Sequence, residues 1–324
     1  MESIEDYDDE EAGEYGIPSV GIETYSEDGR KHLDDLYTAY LRLADEHDWE
    51  METVFRQRDE IGEGELILPV FSFTTKLQGP ALWILSGIHG EEPAGPNAIA
   101  EELSRIGVLG KDIPMVVIPL CNPKGYRHNW RFQSTAKREY KSAKHSDGGV
   151  SISDADHMLL KIDGSHEPRL PIAACRECDA FMQYILKRAQ THPPVMALDF
   201  HEDEDAECTA PYIYSNGPKN FDDPIAKEVV RILSCAGMPL WMEGRTRFGE
   251  RVVGGVIAET HDGSVDEFLA AKKVWSGDQI VPGPGARSAV VIETPVVGFE
   301  LPERVHAHRA VLQALLELWR RGNM

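Results

Sequence analysis

Long apolar runs are absent. No stretch approaches the ~18 uncharged apolar residues that cross a bilayer, and the first residues lack the basic and apolar regions of a secretory signal. The chain is therefore read as soluble and cytoplasmic, with no membrane partner. Positive charge is scarce too: 33 Lys and Arg face 55 Asp and Glu, a net charge of −22 at pH 7. A phosphate backbone needs the opposite balance, so nucleic acid is not an expected partner. Cysteine is sparse and odd in number, with Cys121, Cys175, Cys178, Cys208 and Cys235 widely spread. That distribution suits reduced thiols better than a disulfide framework. Cys175 and Cys178 form one CxxC with no second CxxC and no His at finger spacing, and are read as two ordinary buried thiols, with a metal knuckle or a redox pair as the alternative. A GxSxG elbow is missing, which argues against a serine hydrolase.

What is present begins with acid. Met1 to Glu14 holds eight acids and no Lys or Arg, so residues 1–20 are expected to form a solvated acidic tail ahead of a single domain over 21–324. From there, runs with helical spacing alternate with short apolar strands. Helices are expected at 29–47, 93–106, 171–190, 224–236, 266–273 and 302–321. Strands are expected at 51–57, 65–75, 81–86, 115–120, 195–200 and 288–293. The segment from Asn122 to Gly164 is polar and too long for a plain connector, hence a candidate functional loop. This order is that of an α/β protein whose mixed, mostly parallel sheet is covered on both faces.

In such sheets ligands bind where strands end. After ALWILSG comes His89-Gly90-Glu91-Glu92, after VMALDF comes His201, and SAVVI runs into Glu293. Imidazole nitrogens and a carboxylate are the donors of catalytic zinc sites, which leave a fourth position for water. His89, Glu92 and His201 make such a set. Asp199, two residues before His201, is either the partner of the second ring N–H or an ordinary buried acid.

LSGIHGEEPAG, LCNPKGY, NWRF, DFHED and VVIETP, in that order, resemble the zinc carboxypeptidase superfamily, which includes succinylglutamate desuccinylase and aspartoacylase. The matches run from Ala81 to Glu293. The resemblance implies a three-layer α/β/α sandwich on an eight-stranded sheet and one Zn²⁺ per chain on His89, Glu92 and His201. It also implies that Glu293 activates water and that Arg131, after Asn129-Trp130, stabilises the oxyanion with Arg127 in reserve. Arg127, Asn129 and Asp154 are the candidate substrate contacts. The implied activity is hydrolysis of a small peptide or N-acyl/amide substrate.

The pattern also breaks. The Arg that grips a terminal carboxylate in these carboxypeptidases has Ser153-Asp154 at its place, with Arg138 as a possible substitute. The expected tyrosine ahead of Gly263-Ser264-Val265-Asp266 is missing, and His261 stands nearby. The acids of Glu202 to Glu207, together with Asp154, raise the expectation of a cationic substrate. Glu293 lies 31 residues from the end of the 324-residue chain. That suits a carboxypeptidase-like arrangement, whereas the deacylases append a β domain after their base. The His-Gly-Glu-Glu wording favours the deacylases, and a silent binding protein on the same fold is the third alternative.

Overall fold

The computed structural model describes all residues except 1–12, 14, 19–20, 62–63, 134–148, 205–207, 218, 259 and 324. Most of the acidic tail and Arg138 therefore lie outside the described residues. The elements run α1 (Leu33–His47), β1 (Glu50–Ile61), β2 (Gly64–Thr74), β3 (Ala81–Ser86), α2 (Ala94–Leu109), β4 (Met115–Ile118), α3 (Pro123–His128), α4 (Arg176–Arg188), β5 (Pro194–Asp203), β6 (Tyr212–Ser215) and α5 (Pro224–Cys235). They continue with β7 (Glu243–Arg245), β8 (Arg251–Val253), β9 (Val256–Ala258), α6 (Val265–Ala270), β10 (Lys273–Ser276), β11 (Gln279–Pro282), β12 (Ser288–Pro295), α7 (Leu301–Gln313) and α8 (Leu315–Gly322).

One sheet has the order β1-β2-β4-β3-β5-β12-β6-β9-β8-β7, and β10 and β11 form a separate hairpin. Its centre, β4-β3-β5-β12, is parallel, and antiparallel pairs flank it. The sheet thus has ten strands where eight were expected. Part of the difference is the β7-β8 hairpin at one edge, whose strands of three residues are too short to carry a readable alternation.

Apolar residues alternate along the central strands and feed two cores. Leu82, Ile84, Met196, Leu198, Phe200, Val290 and Ile292 point to one face, packed with α1, α2, α5, α7 and α8. Trp83, Leu85, Ala197 and Ala289 point to the other, packed with Phe181, Met182 and Ile185 of α4 and Phe268 and Leu269 of α6. Because side chains alternate with period two, His201 and Glu293 share the α4/α6 side with Ala197 and Ala289. The expected closing helix is divided at Ala314 into α7 and α8. The expected helix at 171–190 starts late, where Cys175 caps α4. No helix among the described residues is long and apolar enough to cross a membrane.

Candidate metal centre

The site lies at the C-terminal ends of the parallel strands β3, β5 and β12. Gly87 (φ +63°) turns the chain out of β3, in the left-handed region that glycine enters without a Cβ penalty. His89 and Glu92 follow before α2 begins. Gly90 fits because α3 approaches it backbone to backbone: a Cβ there would stand 1.9 Å from the carbonyl carbon of Gly125. Asn122 holds α3 in that place. Its Oδ1 accepts from the Gly125 amide at 3.0 Å and its Nδ2 donates to the Ile88 carbonyl at 3.3 Å. His201 is carried by β5, and Glu293 is its register neighbour on parallel β12.

Donor atoms of His89, Glu92 and His201 lie within 4.8 Å of one another, and all three residues are buried. His89 Nδ1 is 2.6 Å from Glu92 Oε1, and His201 Nδ1 is 2.8 Å from Glu92 Oε2. On its far side His201 Nε2 is 3.2 Å from Asp199 Oδ2. If the neutral ring carries its proton on Nε2, toward Asp199, the Nδ1 lone pair faces a Glu92 carboxylate lone pair at contact distance. Only a proton or a cation between them relieves that repulsion. Two imidazoles and one carboxylate converging in this way fit the donor set and number of a catalytic zinc site. Asp199 stands on the side of the His201 ring away from Glu92.

Burial and close opposite charges act together on the cluster. Burial, helped by the Arg131 cation, pushes the His89 imidazole down to about 3. Burial works against His201 charging, but Asp199 and Glu92 hold its protonated form well above the usual histidine range. Glu92 is likewise buried, yet His89 and His201 keep its carboxyl well below the usual range. Glu91 is raised to about 7 by burial and the neighbouring Glu92, against Arg131. Glu293 is raised well above the carboxylate range. Burial is the main cause and Glu92 and Asp203 add to it, while His201 and Arg131 oppose.

Arg131 joins this group: its Nη1 donates to Glu91 Oε1 at 2.9 Å and to Glu92 Oε1 at 3.2 Å. Phe132 sets its ring edge-on to His89, with centroids 6.2 Å apart. The structure does not bring Arg127 and Asn129 to the cluster. Arg127 Nη1 donates to Asp59 Oδ2 at 2.5 Å, beside His128 on the same carboxylate. Asn129 Oδ1 accepts from Arg30. Asp154 is buried in the Ser151–Ala155 turn. His261 is exposed and pairs with Glu267 at 3.0 Å. It lines a cavity of about 460 Å³ that none of the three donor residues borders. The acidic run is not one face either. Glu202 is buried, accepting from the Ala94 amide at 2.6 Å and from Arg304. Asp203 accepts from the Tyr212 hydroxyl at 2.8 Å, and residues 205–207 lie outside the described residues. Glu202, the first acid of that run, is thus engaged by Ala94 and Arg304.

Two residues escaped the sequence reading. Arg30 is buried and ties the loop of His89 to that of Arg131: its Nη1 donates to the Gly90 and Tyr126 carbonyls, both at 2.7 Å. Only its place between an aspartate and a helix start hinted at a role. Tyr212 stands opposite Glu293 in the antiparallel β6-β12 pair. The alternating aromatics of Tyr212-Ile213-Tyr214 were the available signal for that strand.

No protein-family model matches the chain, and no curated protein does. Among solved structures, a candidate metallopeptidase from Shewanella amazonensis aligns over 87% of this chain and 91% of its own, with TM-score 0.64 and 21% identity. A second, from Shewanella denitrificans, aligns over 94% and 98%, with TM-score 0.64 and 19% identity. Carboxypeptidase A from Helicoverpa armigera aligns over 92% and 74%, with TM-score 0.58 and 14% identity. At such identities the likeness establishes the fold: this chain is built on the scaffold that these peptidases use.

Proposed function

We propose that the protein is a zinc-dependent hydrolase of amide or peptide bonds, carboxypeptidase-like in layout. His89, Glu92 and His201 would hold one zinc ion and Glu293 would move the proton. One observation carries this reading: three buried donors within 4.8 Å of one another, with a carboxylate in register beside the third. Held by His89, Glu92 and His201, a zinc ion would supply an acidified water, its pKa lowered from 15.7 to roughly 7, and a Lewis acid for a carbonyl oxygen. Glu293 then accepts the proton of the attacking water and returns it to the leaving nitrogen. The Arg131 guanidinium donates to the oxygen on which negative charge develops.

The substrate is proposed to be a small peptide or an N-acyl amino acid, and a panel of both separates the carboxypeptidase-like reading from the deacylase-like one. Metal analysis of the purified protein should give one zinc per chain. Glu293→Gln should retain that metal and lose roughly 10²–10⁴-fold in turnover, the usual weight of a positioned acid-base group. A protein without bound metal, or a variant with unchanged turnover, would overturn the assignment.

A further inference from the structure

Cys175 and Cys178 are not two unrelated thiols. Cys175 is the N-cap of the 13-residue helix α4, where its Sγ accepts from the Cys178 amide at 3.2 Å. The CxxC spacing sets the N-cap and the third helical residue side by side, and the two sulfurs are in contact at 2.6 Å. Cys175 is half-buried and Cys178 is buried. The Cys178 thiol also faces the Ser151 carbonyl at 3.0 Å. The other thiols have different company. Cys121 and Cys208 donate to the carbonyls of Ile118 and Ala210, and Cys235 lies beside Arg231.

We propose that Cys175 and Cys178 are a redox-active dithiol, which a low-molecular-weight disulfide converts to an intramolecular disulfide. The helix N-terminus favours negative charge at the capping sulfur. The hydrogen bond from the Cys178 thiol draws the Cys175 thiol below its ordinary range, against burial and Glu177. The same bond, together with burial, pushes Cys178 well above it. Cys175 is therefore the attacking sulfur and Cys178 the resolving one.

In the first step the Cys175 thiolate attacks one sulfur of the oxidant RSSR, forming Cys175–S–S–R and expelling RS⁻. In the second, Cys178, giving its proton to that thiolate, attacks the Cys175 sulfur and expels the other half as a thiolate, which takes a proton from solvent. Two protein thiols are oxidised and one external disulfide is reduced to two thiols. The inference is independent of the hydrolase reading, because it is tested by thiol chemistry alone.

The test equilibrates the full chain with oxidised glutathione, quenches with acid, denatures and alkylates. Oxidised protein should leave three of the five cysteines open to alkylation, and the peptide joining Cys175 to Cys178 should be lighter by two hydrogens. A reducing dithiol should restore all five. Cys235→Ser should change nothing in this pairing. Cys175→Ser keeps a capping oxygen and should form no intramolecular disulfide. Cys178→Ser should trap glutathione on Cys175. Five alkylated cysteines after excess oxidant, or a disulfide joining any other pair, overturns the proposal. Faster trapping on Cys178 in Cys175→Ser than on Cys175 in Cys178→Ser overturns the order of attack.

Discussion

Arg30 shows how much of the candidate centre depends on a residue that touches none of the donors. Its guanidinium is fully enclosed, and it stacks over the Tyr126 ring at 4.7 Å. It donates to Gly90, Tyr126, Asn129 and Asp28, whose acceptors come from three separate segments. Removing it takes the charged donor from the Gly90 carbonyl and leaves the Tyr126 carbonyl only the Asn129 amide at 3.4 Å, and each hydrogen bond to a charged group contributes about 1.5–3 kcal/mol. Arg30→Ala should therefore lower unfolding free energy by about 3 kcal/mol in urea titration and weaken zinc affinity. Arg30→Lys should not restore either, since a point charge cannot span the fork of acceptors. Stability unchanged in the alanine variant would show that the clamp is dispensable.

Among the elements, the turn from β3 into α2 and the first turn of α6 make the sharpest predictions. Gly90→Ala must push α3 away from the donor loop, because the new methyl would overlap the Gly125 backbone. Zinc affinity should fall at least tenfold, read by competition with a chromogenic chelator, while the far-ultraviolet circular dichroism of the sheet stays unchanged. In α6, Asp266 is buried and its carboxyl is pushed up to about 8 by burial, then by Asp262 and Asp199. A carboxyl that holds its proton more tightly when folded favours the folded state at low pH. That contribution fades as pH rises from ~4 to about 8. Urea midpoints should therefore fall over this window, and more gently in Asp266→Asn. Identical slopes in the two proteins would remove Asp266 as the cause.

The strands beside these turns show what could be read in advance. The apolar runs that open β3 and β5 announced themselves by composition, and so did the His and Glu at their exits. The β7-β8 hairpin at the edge did not, because strands of three residues are too short to show a period. Arg127 and Asn129 were plausible from order along the chain alone. Their commitment to Asp59 and Arg30 depends on residues about 70 and 100 positions away, and no local pattern records such partners.

At the scale of the whole molecule, the proposed ion would join parts of the chain that fold separately in sequence. His89 and Glu92 belong to the β3-α2 connection and His201 to β5, and β5 is pinned in turn to α7 through Glu202 and Arg304. An ion bound only by the folded arrangement stabilises it by mass action, about 4 kcal/mol when free metal stands at 1,000 times Kd. Removal should therefore be felt globally and not as local fraying. For a chain of this size the loss corresponds to a fall in Tm on the order of 10 °C. Scanning calorimetry of the protein with and without a strong chelator should show that fall, reversed by added zinc. Glu92→Gln keeps the side-chain volume but removes the anionic donor and the charge between the two imidazoles. It should melt at one temperature whether or not chelator is present. A wild-type Tm indifferent to chelation would mean that the convergence of His89, Glu92 and His201 is held by protons alone, and the hydrolase reading would fall with it.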